Sequence, residues 1–175
     1  MDMNVTSKLH PGQSFEPREF ARVDGPAYRV GGTGGWQVLF VYRGLHCPIC
    51  KGYLGKIKQR LEKFAELGIE VAAVSADSEA QARQTAETTA PTFPLLYGLD
   101  LPTMRTLGLY ISEPRSPEET DHRFPEPGLF VINPDGVLQI VDVSNAPFVR
   151  PDLDVLLSGL KFVIDNDYPV RGTYR

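Results

Sequence analysis

The chain has 175 residues, a length that suits a single domain. Its 22 acidic and 18 basic side chains give a net charge of −4, and no block of like charge favours nucleic acid or an anionic membrane as a partner. Hydrophobic residues make up 42% of the chain, enough to bury a core, which excludes disordered, collagen-like and coiled-coil proteins.

The sequence also limits where the protein works. The longest apolar run, residues 38–42, is the length of a strand and far below the ~20 residues of a membrane helix. Residues 1–4 carry neither the basic nor the apolar stretch of a secretory signal, so a cytoplasmic protein is expected. Two cysteines are too few for a disulfide framework.

Hydrophobic periodicity and turn residues divide the chain into short elements. Between irregular tails at 1–19 and 166–175, the pattern predicts two hairpins, two buried strands, three helices, an edge strand, a helical turn and a proline-rich exposed loop. In chain order, the segments are 20–30 (hairpin), 36–42 (strand), 48–67 (helix), 69–75 (strand), 77–89 (helix), 93–97 (edge strand), 103–107 (turn), 113–127 (loop), 128–141 (hairpin) and 152–164 (helix).

The order of these elements predicts the fold class. Strand, helix, strand and helix follow one another from residue 36 to 89, which requires parallel strands joined by a right-handed crossover. The later hairpin adds antiparallel strands, and Pro94 confines its own strand to an edge. We therefore expect one α/β domain over 1–175, with a central mixed sheet flanked by helices and an N-terminal hairpin extension.

The two cysteines, Cys47 and Cys50, lie where a buried strand passes into a helix. Pro48 suits a first helical turn, and residues three apart there have α-carbons roughly 5 to 6 Å apart, close enough for a disulfide. The helix dipole and its unpaired amides favour an anion, so Cys47 should ionise more readily than a free thiol. Cys50, one turn further, is predicted to be more shielded and to resolve a bond formed at Cys47.

Other interpretations of the cysteine pair are open. A zinc site would need four nitrogen or sulfur ligands, and neither a second CxxC nor a histidine pair is present. Attachment of haem would need a histidine at position 51, which is a lysine. No cofactor or metal is therefore predicted. Two inert core cysteines are a further alternative, although a helix entrance is the least inert place for them.

Several stretches together resemble the redoxin branch of the thioredoxin fold. The strand at 38–42, the segment Arg43-Gly44-Leu45-His46-Cys47-Pro48-Ile49-Cys50, the strand at 69–75 and residues 128–136 are similar to peroxiredoxin-like proteins of the alkyl hydroperoxide reductase and thiol-specific antioxidant (AhpC/TSA) family. The resemblance covers about 8–165 and implies a thioredoxin-like fold. It also implies that a cis peptide bond precedes Pro127, that this proline lies against the active-site sulfur, and that the backbone of the preceding residue is free to pair with a substrate chain. A trans proline that closes a loop is the alternative.

Departures from the family pattern bear on the chemistry. The resemblance implies a Thr or Ser three residues before the peroxide-attacking cysteine, a Pro four residues before that, and an Arg near the late strand. Counted from Cys50, these positions hold Cys47 and Arg43, and Pro127 stands at the Arg position; counted from Cys47, they hold Gly44 and Phe40. Fast peroxidase action is therefore in doubt. Arg43, His46 and Lys51 are candidates for positive charge near the site, and His46 for part of the proton transfer.

The leading interpretation is a dithiol oxidoreductase in which Cys47 attacks, Cys50 resolves and Pro127 shapes the docking surface. Disulfides are the favoured substrates. Hydroperoxides are the alternative, with Cys47 peroxidatic, Cys50 resolving and Arg43 standing in for the missing Arg. A module that senses redox state without catalysis is the third interpretation. The expected partner is a thiol reductant such as a thioredoxin or glutathione system, with a homodimer as an option.

Overall fold

The structure, a computed structural model, describes residues 8–174, so residues 1–7 of the expected N-terminal tail lie outside it, as does the signal-peptide expectation for residues 1–4. Its strands are β1 (Arg18–Arg22), β2 (Tyr28–Val30), β3 (Trp36–Val41), β4 (Ile69–Val74), β5 (Leu95–Tyr97), β6 (Ile111–Ser112), β7 (Phe124–Pro125), β8 (Gly128–Ile132) and β9 (Leu138–Val143). Seven of them form one sheet in the order β2-β1-β5-β4-β3-β8-β9, and β6 pairs separately with β7.

The helices are α1 (Pro48–Gln59), α2 (Leu61–Glu66), α3 (Glu79–Thr89), α4 (Leu101–Thr106) and α5 (Leu153–Asp165). Strand β3 runs parallel to β4 and β4 parallel to β5, whereas β8 and β9 are antiparallel additions. The predicted mixed α/β fold and both hairpins are thus confirmed. Within the described residues, no helix is long and apolar enough to cross a membrane.

Strand β3 is buried on both faces of the sheet, as its continuous apolar sequence predicts. Val38 and Phe40 point into a core shared with Leu54 of α1, while Leu39 and Val41 point into a second core that holds Met104 of α4. Because β3 is fixed in this way, residues 42–47, which follow it, lie at a defined position beyond the carboxyl end of the strand.

The expectation that residues 93–97 form an edge strand is wrong. Strand β5 lies between β1 and β4, so both of its edges are paired. Pro94 precedes the strand and still contributes its carbonyl, which accepts from the Ala73 amide, while the Val23 amide donates to Leu95 on the other side. A proline just before the ladder removes no hydrogen bond that the ladder needs.

The single helix expected over 48–67 is two helices with a break at Arg60. The amide of Arg60 donates to the Ile57 carbonyl, and its guanidinium takes the Lys56 carbonyl that a continuous helix would have paired with this amide. The same guanidinium makes a bidentate contact with Asp154 of α5. The side chain of Arg60 therefore replaces one backbone bond and joins α1 to α5.

The proline-rich segment 113–127 is exposed only in part. Its last residues form β7, and Phe124 and Glu126 are buried under the loop that carries the cysteines. The N-terminal tail also ends earlier than expected, because β1 begins at Arg18. The pairing of β7 with β6 accounts for the first difference. The second arises because the hairpin is longer than expected, since Arg18 and Glu19 of β1 pair with Val30 and Arg29 of β2.

Candidate active site

The two cysteines lie at the start of α1, a few residues beyond the carboxyl end of the central strand β3. Cys47 is the N-cap residue in extended conformation, Pro48 is the first helical residue, and the Cys47 sulfur accepts a hydrogen bond of 3.2 Å from the Cys50 amide. The α-carbons are 5.2 Å apart and the sulfurs are joined in a disulfide. The expected geometry of the pair at a helix entrance is present.

Both cysteines are more enclosed than the sequence indicates. Cys47 is 2% exposed and Cys50 is fully buried, so the expected difference in shielding has the right direction but is small. A substrate atom can reach the Cys47 sulfur only if neighbouring residues move aside or if the substrate is small and narrow.

A cation that the sequence did not point to lies beside the inner sulfur. Nη2 of Arg150 is 3.0 Å from Sγ of Cys50, and its guanidinium carbon lies 5.1 Å from the centre of the Tyr53 ring. Nη1 donates to the Pro147 carbonyl. Burial lowers the pKa of Arg150 to about 10, which leaves the side chain charged at neutral pH.

Arg43, which was expected to add charge near the sulfur, faces another group. Its Nε lies 3.2 Å from the buried Glu126 carboxylate, at ion-pair distance but outside hydrogen-bond alignment, and its guanidinium carbon is 4.7 Å from the centre of the Phe124 ring. The other Glu126 oxygen accepts from Ser112 at 2.7 Å. The charge of Arg43 is therefore largely compensated by Glu126, and this pair ties the cysteine loop to β7.

His46 lies against the ring of Phe124, with 4.5 Å between the two ring centres. Partial burial is the main cause that lowers the pKa of His46, and the positive charge of Arg43 lowers it further. Neither ring nitrogen has a hydrogen-bond partner. The imidazole is therefore neutral at pH 7, which argues against His46 as a source of positive charge and leaves it free to carry a proton.

Asp77 holds the loop that leads into Cys47. This carboxylate is 1% exposed and accepts a hydrogen bond of 2.8 Å from the Leu45 amide. The Cα of Gly44 approaches it so closely that a Cβ there would lie 2.5 Å from Oδ1 of Asp77. The carboxylate fixes the backbone two residues before the reactive sulfur.

His122 joins the 113–127 segment to the same carboxylate. Its Nε2 lies 3.5 Å from Asp77 Oδ1, at ion-pair distance, and its Nδ1 lies 2.7 Å from Asp121 Oδ1. The Asp77 carboxylate is the main cause that raises the pKa of His122, and Asp121 adds to it against the effect of partial burial. The protonated imidazole therefore stabilises the loop around the cysteines at low pH.

The structure corrects the expectations for Pro127. The described residues contain no cis peptide bond, so the bond between Glu126 and Pro127 is trans. The amide of Glu126, expected to be free for a substrate chain, donates to the Tyr110 carbonyl at 2.8 Å, and the Pro127 carbonyl accepts from Ser144 at 3.0 Å. Pairing of β7 with β6 and the bond from residue 144 occupy this backbone, so a substrate strand cannot pair there without displacing them.

The fold and this site can be compared with known proteins. Residues 14–141 match the family model for the AhpC/TSA family, which is most of the chain. The chain belongs to the AhpC/TSA family. With the disulfide at a helix start, membership of this family makes the protein a thiol-based oxidoreductase.

Relatives of known name are distant in sequence but span most of the chain. Alkyl hydroperoxide reductase C of Escherichia coli K12 is 23% identical over 154 residues, 87% of this chain and 78% of the relative. Peroxidoxin BcpB from Mycobacterium tuberculosis has a TM-score of 0.72 at 20% identity, over 89% of this chain and 98% of its own. A peroxiredoxin-like protein from Aquifex aeolicus has a TM-score of 0.73 at 18% identity, over 89% and 88%. These structures share the peroxiredoxin form of the thioredoxin fold.

Among the site residues that the sequence analysis missed, Asp77 and Arg150 were missed for different reasons. The position of Asp77 could have been predicted. It follows β4 as Cys47 follows β3, and the carboxyl ends of these two parallel, neighbouring strands lie side by side. It was assigned instead to the helix start, where Ser78 forms the cap. Arg150 had no signal, since it lies 100 residues from Cys50 in an irregular segment. Across residues 8–174, no cluster of three or more potential metal-binding side chains occurs.

Proposed function

We propose that the protein is a dithiol oxidoreductase that reduces disulfides and cycles between the Cys47 and Cys50 dithiol and the bond seen here. The observation that carries this proposal is that both cysteines lie in the first turn of α1, where their α-carbons are 5.2 Å apart and their sulfurs form a disulfide. The bond can therefore open and close without rearrangement of the elements around it.

The reaction runs in two exchange steps. The Cys47 thiolate attacks one sulfur of a substrate disulfide, which breaks that bond, forms a mixed disulfide on Cys47 and releases the first thiolate. Cys50 then attacks Cys47, which releases the second thiolate and leaves the intramolecular disulfide. Two electrons pass to the substrate, and an external thiol reductant returns them. A thioredoxin or glutathione system is the proposed reductant; a homodimer stays a prediction.

The residues around the pair have separate proposed roles. The Cys50 amide and the start of α1 stabilise charge on Cys47. His46, neutral and without hydrogen-bond partners, accepts or returns a proton at the departing thiolate. Arg43 acts through Glu126 on the position of β7, and Pro127 lines a small cavity together with Tyr53 and Arg150. Arg43 and Pro127 are thus positioning residues in this proposal.

Hydroperoxide reduction is the second candidate, because the curated relatives carry the name alkyl hydroperoxide reductase C. In that reaction, the Cys47 thiolate attacks the peroxide oxygen, releases an alcohol and becomes a sulfenic acid, and Cys50 displaces water to form the disulfide. The chain has Gly44 where the pattern counted from Cys47 requires Thr or Ser, and the Arg43 charge is compensated by Glu126. These departures favour the disulfide substrate.

One assay separates the candidates. Reduced protein is mixed with a small disulfide or with a hydroperoxide under a recycling thiol reductant, and turnovers are counted for the wild type, Cys47→Ser and Cys50→Ser. We expect repeated turnover on the disulfide that Cys47→Ser abolishes, and a stable mixed disulfide in Cys50→Ser. Turnover on peroxide far above that of a free thiol would reverse the preference. A single oxidation without turnover on either substrate would identify a redox-sensing module.

A further inference from the structure

Arg150 combines three features that the dithiol cycle described so far does not use. Its guanidinium touches the buried sulfur of Cys50 at 3.0 Å. No carboxylate of the described residues lies at ion-pair distance from it. It is also largely removed from water, which is costly for a charge that has no counter-ion. A cation in this state is stabilised by any negative charge that forms next to it.

The anion that can form there is the Cys50 thiolate. When an incoming thiolate attacks Cys47 in the disulfide, the bond between the two sulfurs breaks and Cys50 leaves with the electron pair. When Cys50 later attacks a mixed disulfide on Cys47, it must again be a thiolate. Hydrogen bonds from guanidinium to an anion are stronger than those to a neutral acceptor, so the contact strengthens at each of these points.

The position of Arg150 is fixed from both sides. On one side, the Ser144 hydroxyl contacts the Ala146 and Val149 carbonyls, and the Ser144 amide donates to Pro127. On the other, the Tyr53 hydroxyl of α1 donates to the Pro151 carbonyl at 2.7 Å. The guanidinium therefore stays over the sulfur through the redox cycle.

Each sulfur thus has its own source of stabilisation. Cys47 accepts the amide of Cys50 at the helix start, whereas Cys50 has the guanidinium of Arg150. We propose that Arg150 is a catalytic residue that holds Cys50 as a thiolate, which makes Cys50 both a good leaving group and a competent resolving nucleophile. This inference rests on the proposed dithiol cycle.

The other ionisable groups near Arg150 do not replace this function. Burial raises the pKa of Tyr53 to about 12, so that phenol is neutral over the working range. Glu126 and Arg43 act on Arg150 with opposite signs and are paired with each other. The nearest charge for a Cys50 thiolate is therefore the guanidinium itself.

The test compares Arg150→Met, which keeps the stem and removes the charge, with Arg150→Lys, which keeps a charge. Arg105→Met, at an exposed position on α4, is the matched control. The first readout is thiolate absorbance of Cys50 in a Cys47→Ser background as a function of pH. We expect Arg150→Met to raise the titration midpoint by about 1–3 pH units, Arg150→Lys to restore part of it, and the control to leave it unchanged.

The second readout is the rate of the resolving step against pH, followed by acid quench and mass spectrometry of the mixed disulfide. Without the Arg150 guanidinium, a smaller fraction of Cys50 is thiolate at a given pH, but each thiolate is more nucleophilic. For a midpoint that rises by about two pH units, Arg150→Met should resolve about 12-fold more slowly at pH values well below both midpoints and about 8-fold faster at the high-pH plateau, so the two profiles cross. A purely structural defect would lower the rate at every pH.

Two further outcomes keep this inference separate from the dithiol cycle. In a Cys50→Ser background, capture of substrate by Cys47 should proceed at the same rate with and without the Arg150→Met substitution. Equal titration midpoints in the wild type and Arg150→Met, or equal slowing of capture and resolution, would overturn the role of Arg150. Absence of any mixed disulfide or turnover in the wild type would instead refute the dithiol cycle itself.

Discussion

A single methyl group at residue 44 should disturb the site more than many core substitutions. Gly44 has φ of +137°, a backbone conformation that L-residues rarely adopt, and a Cβ there would lie 2.5 Å from Asp77 Oδ1 and 3.1 Å from its Cγ. Asp77 cannot retreat without giving up its hydrogen bond to Leu45. Gly44→Ala therefore combines backbone strain with a clash against a buried carboxylate.

The expected magnitude follows from these two effects. An L-residue in the left-handed region costs about 1–2 kcal/mol, and overpacking of a filled site costs about 1–3 kcal/mol, so Gly44→Ala should lower the free energy of unfolding by about 2–5 kcal/mol. Gly55→Ala is the matched control, because a Cβ at this position in α1 meets nothing within 4 Å. It should stabilise the protein by about 0.5–1 kcal/mol.

Urea denaturation of the two variants at fixed redox state measures both values. Repeating Gly44→Ala in an Asp77→Ala background separates the clash from the strain, and the penalty should fall to about 1–2 kcal/mol. A Gly44→Ala protein as stable as the wild type, or a penalty unchanged by removal of Asp77, would refute the assignment of the close contact. Slower reaction of Cys47 in Gly44→Ala would link the loop geometry to the chemistry.

Three further substitutions test the charges around the cysteines. Arg43→Met should cost about 3–5 kcal/mol in urea unfolding because it leaves Glu126 buried without its cation, and adding Glu126→Gln should recover much of the loss. His46→Phe should leave stability unchanged at pH 8 and raise it at pH 5, because the lowered pKa makes the native state resist protonation of this imidazole, and it should slow turnover if the ring carries a proton. His122→Gln should cost more below pH 6.5 than at pH 9, since the pKa raised by Asp77 gives stability that is lost as pH rises through the folded value. Equal costs of His122→Gln at both pH values would contradict the contact.

Local sequence patterns were sufficient for the scaffold that carries the cysteines. The apolar run in β3, the proline after Cys47 and the amphipathic positions in α1 specify a buried strand that passes into a helix, and the structure has this arrangement. The turn residues at 134–136 likewise placed the second hairpin. These features depend on neighbours within a few positions, which is the range over which periodicity and capping act.

Features that depend on residues far apart in the sequence could not be predicted from local patterns. Strand β5 was assigned to an edge because Pro94 was judged from its own position, while the pairing of β1 with β5 depends on residues more than 70 positions away. The peptide bond before Pro127 was expected to be cis from the family resemblance and is trans, with the adjacent amide paired to Tyr110. Arg43 was expected to act on a sulfur, but the buried Glu126 takes its charge, and Arg150 occupies the place beside Cys50.

The two cysteines are separated by only three positions, so the covalent ring that they close is among the smallest that a protein can form. Cross-links restrict the unfolded chain in proportion to the logarithm of ring size, and a ring of this kind contributes about 2 kcal/mol, compared with nearly 5 for a ring of about a hundred residues. Opening the bond therefore lowers the free energy of unfolding by less than half as much as opening a bridge across about a hundred residues would. A bridge of this size therefore constrains the chain locally, and the stability of the fold depends mainly on its two hydrophobic cores.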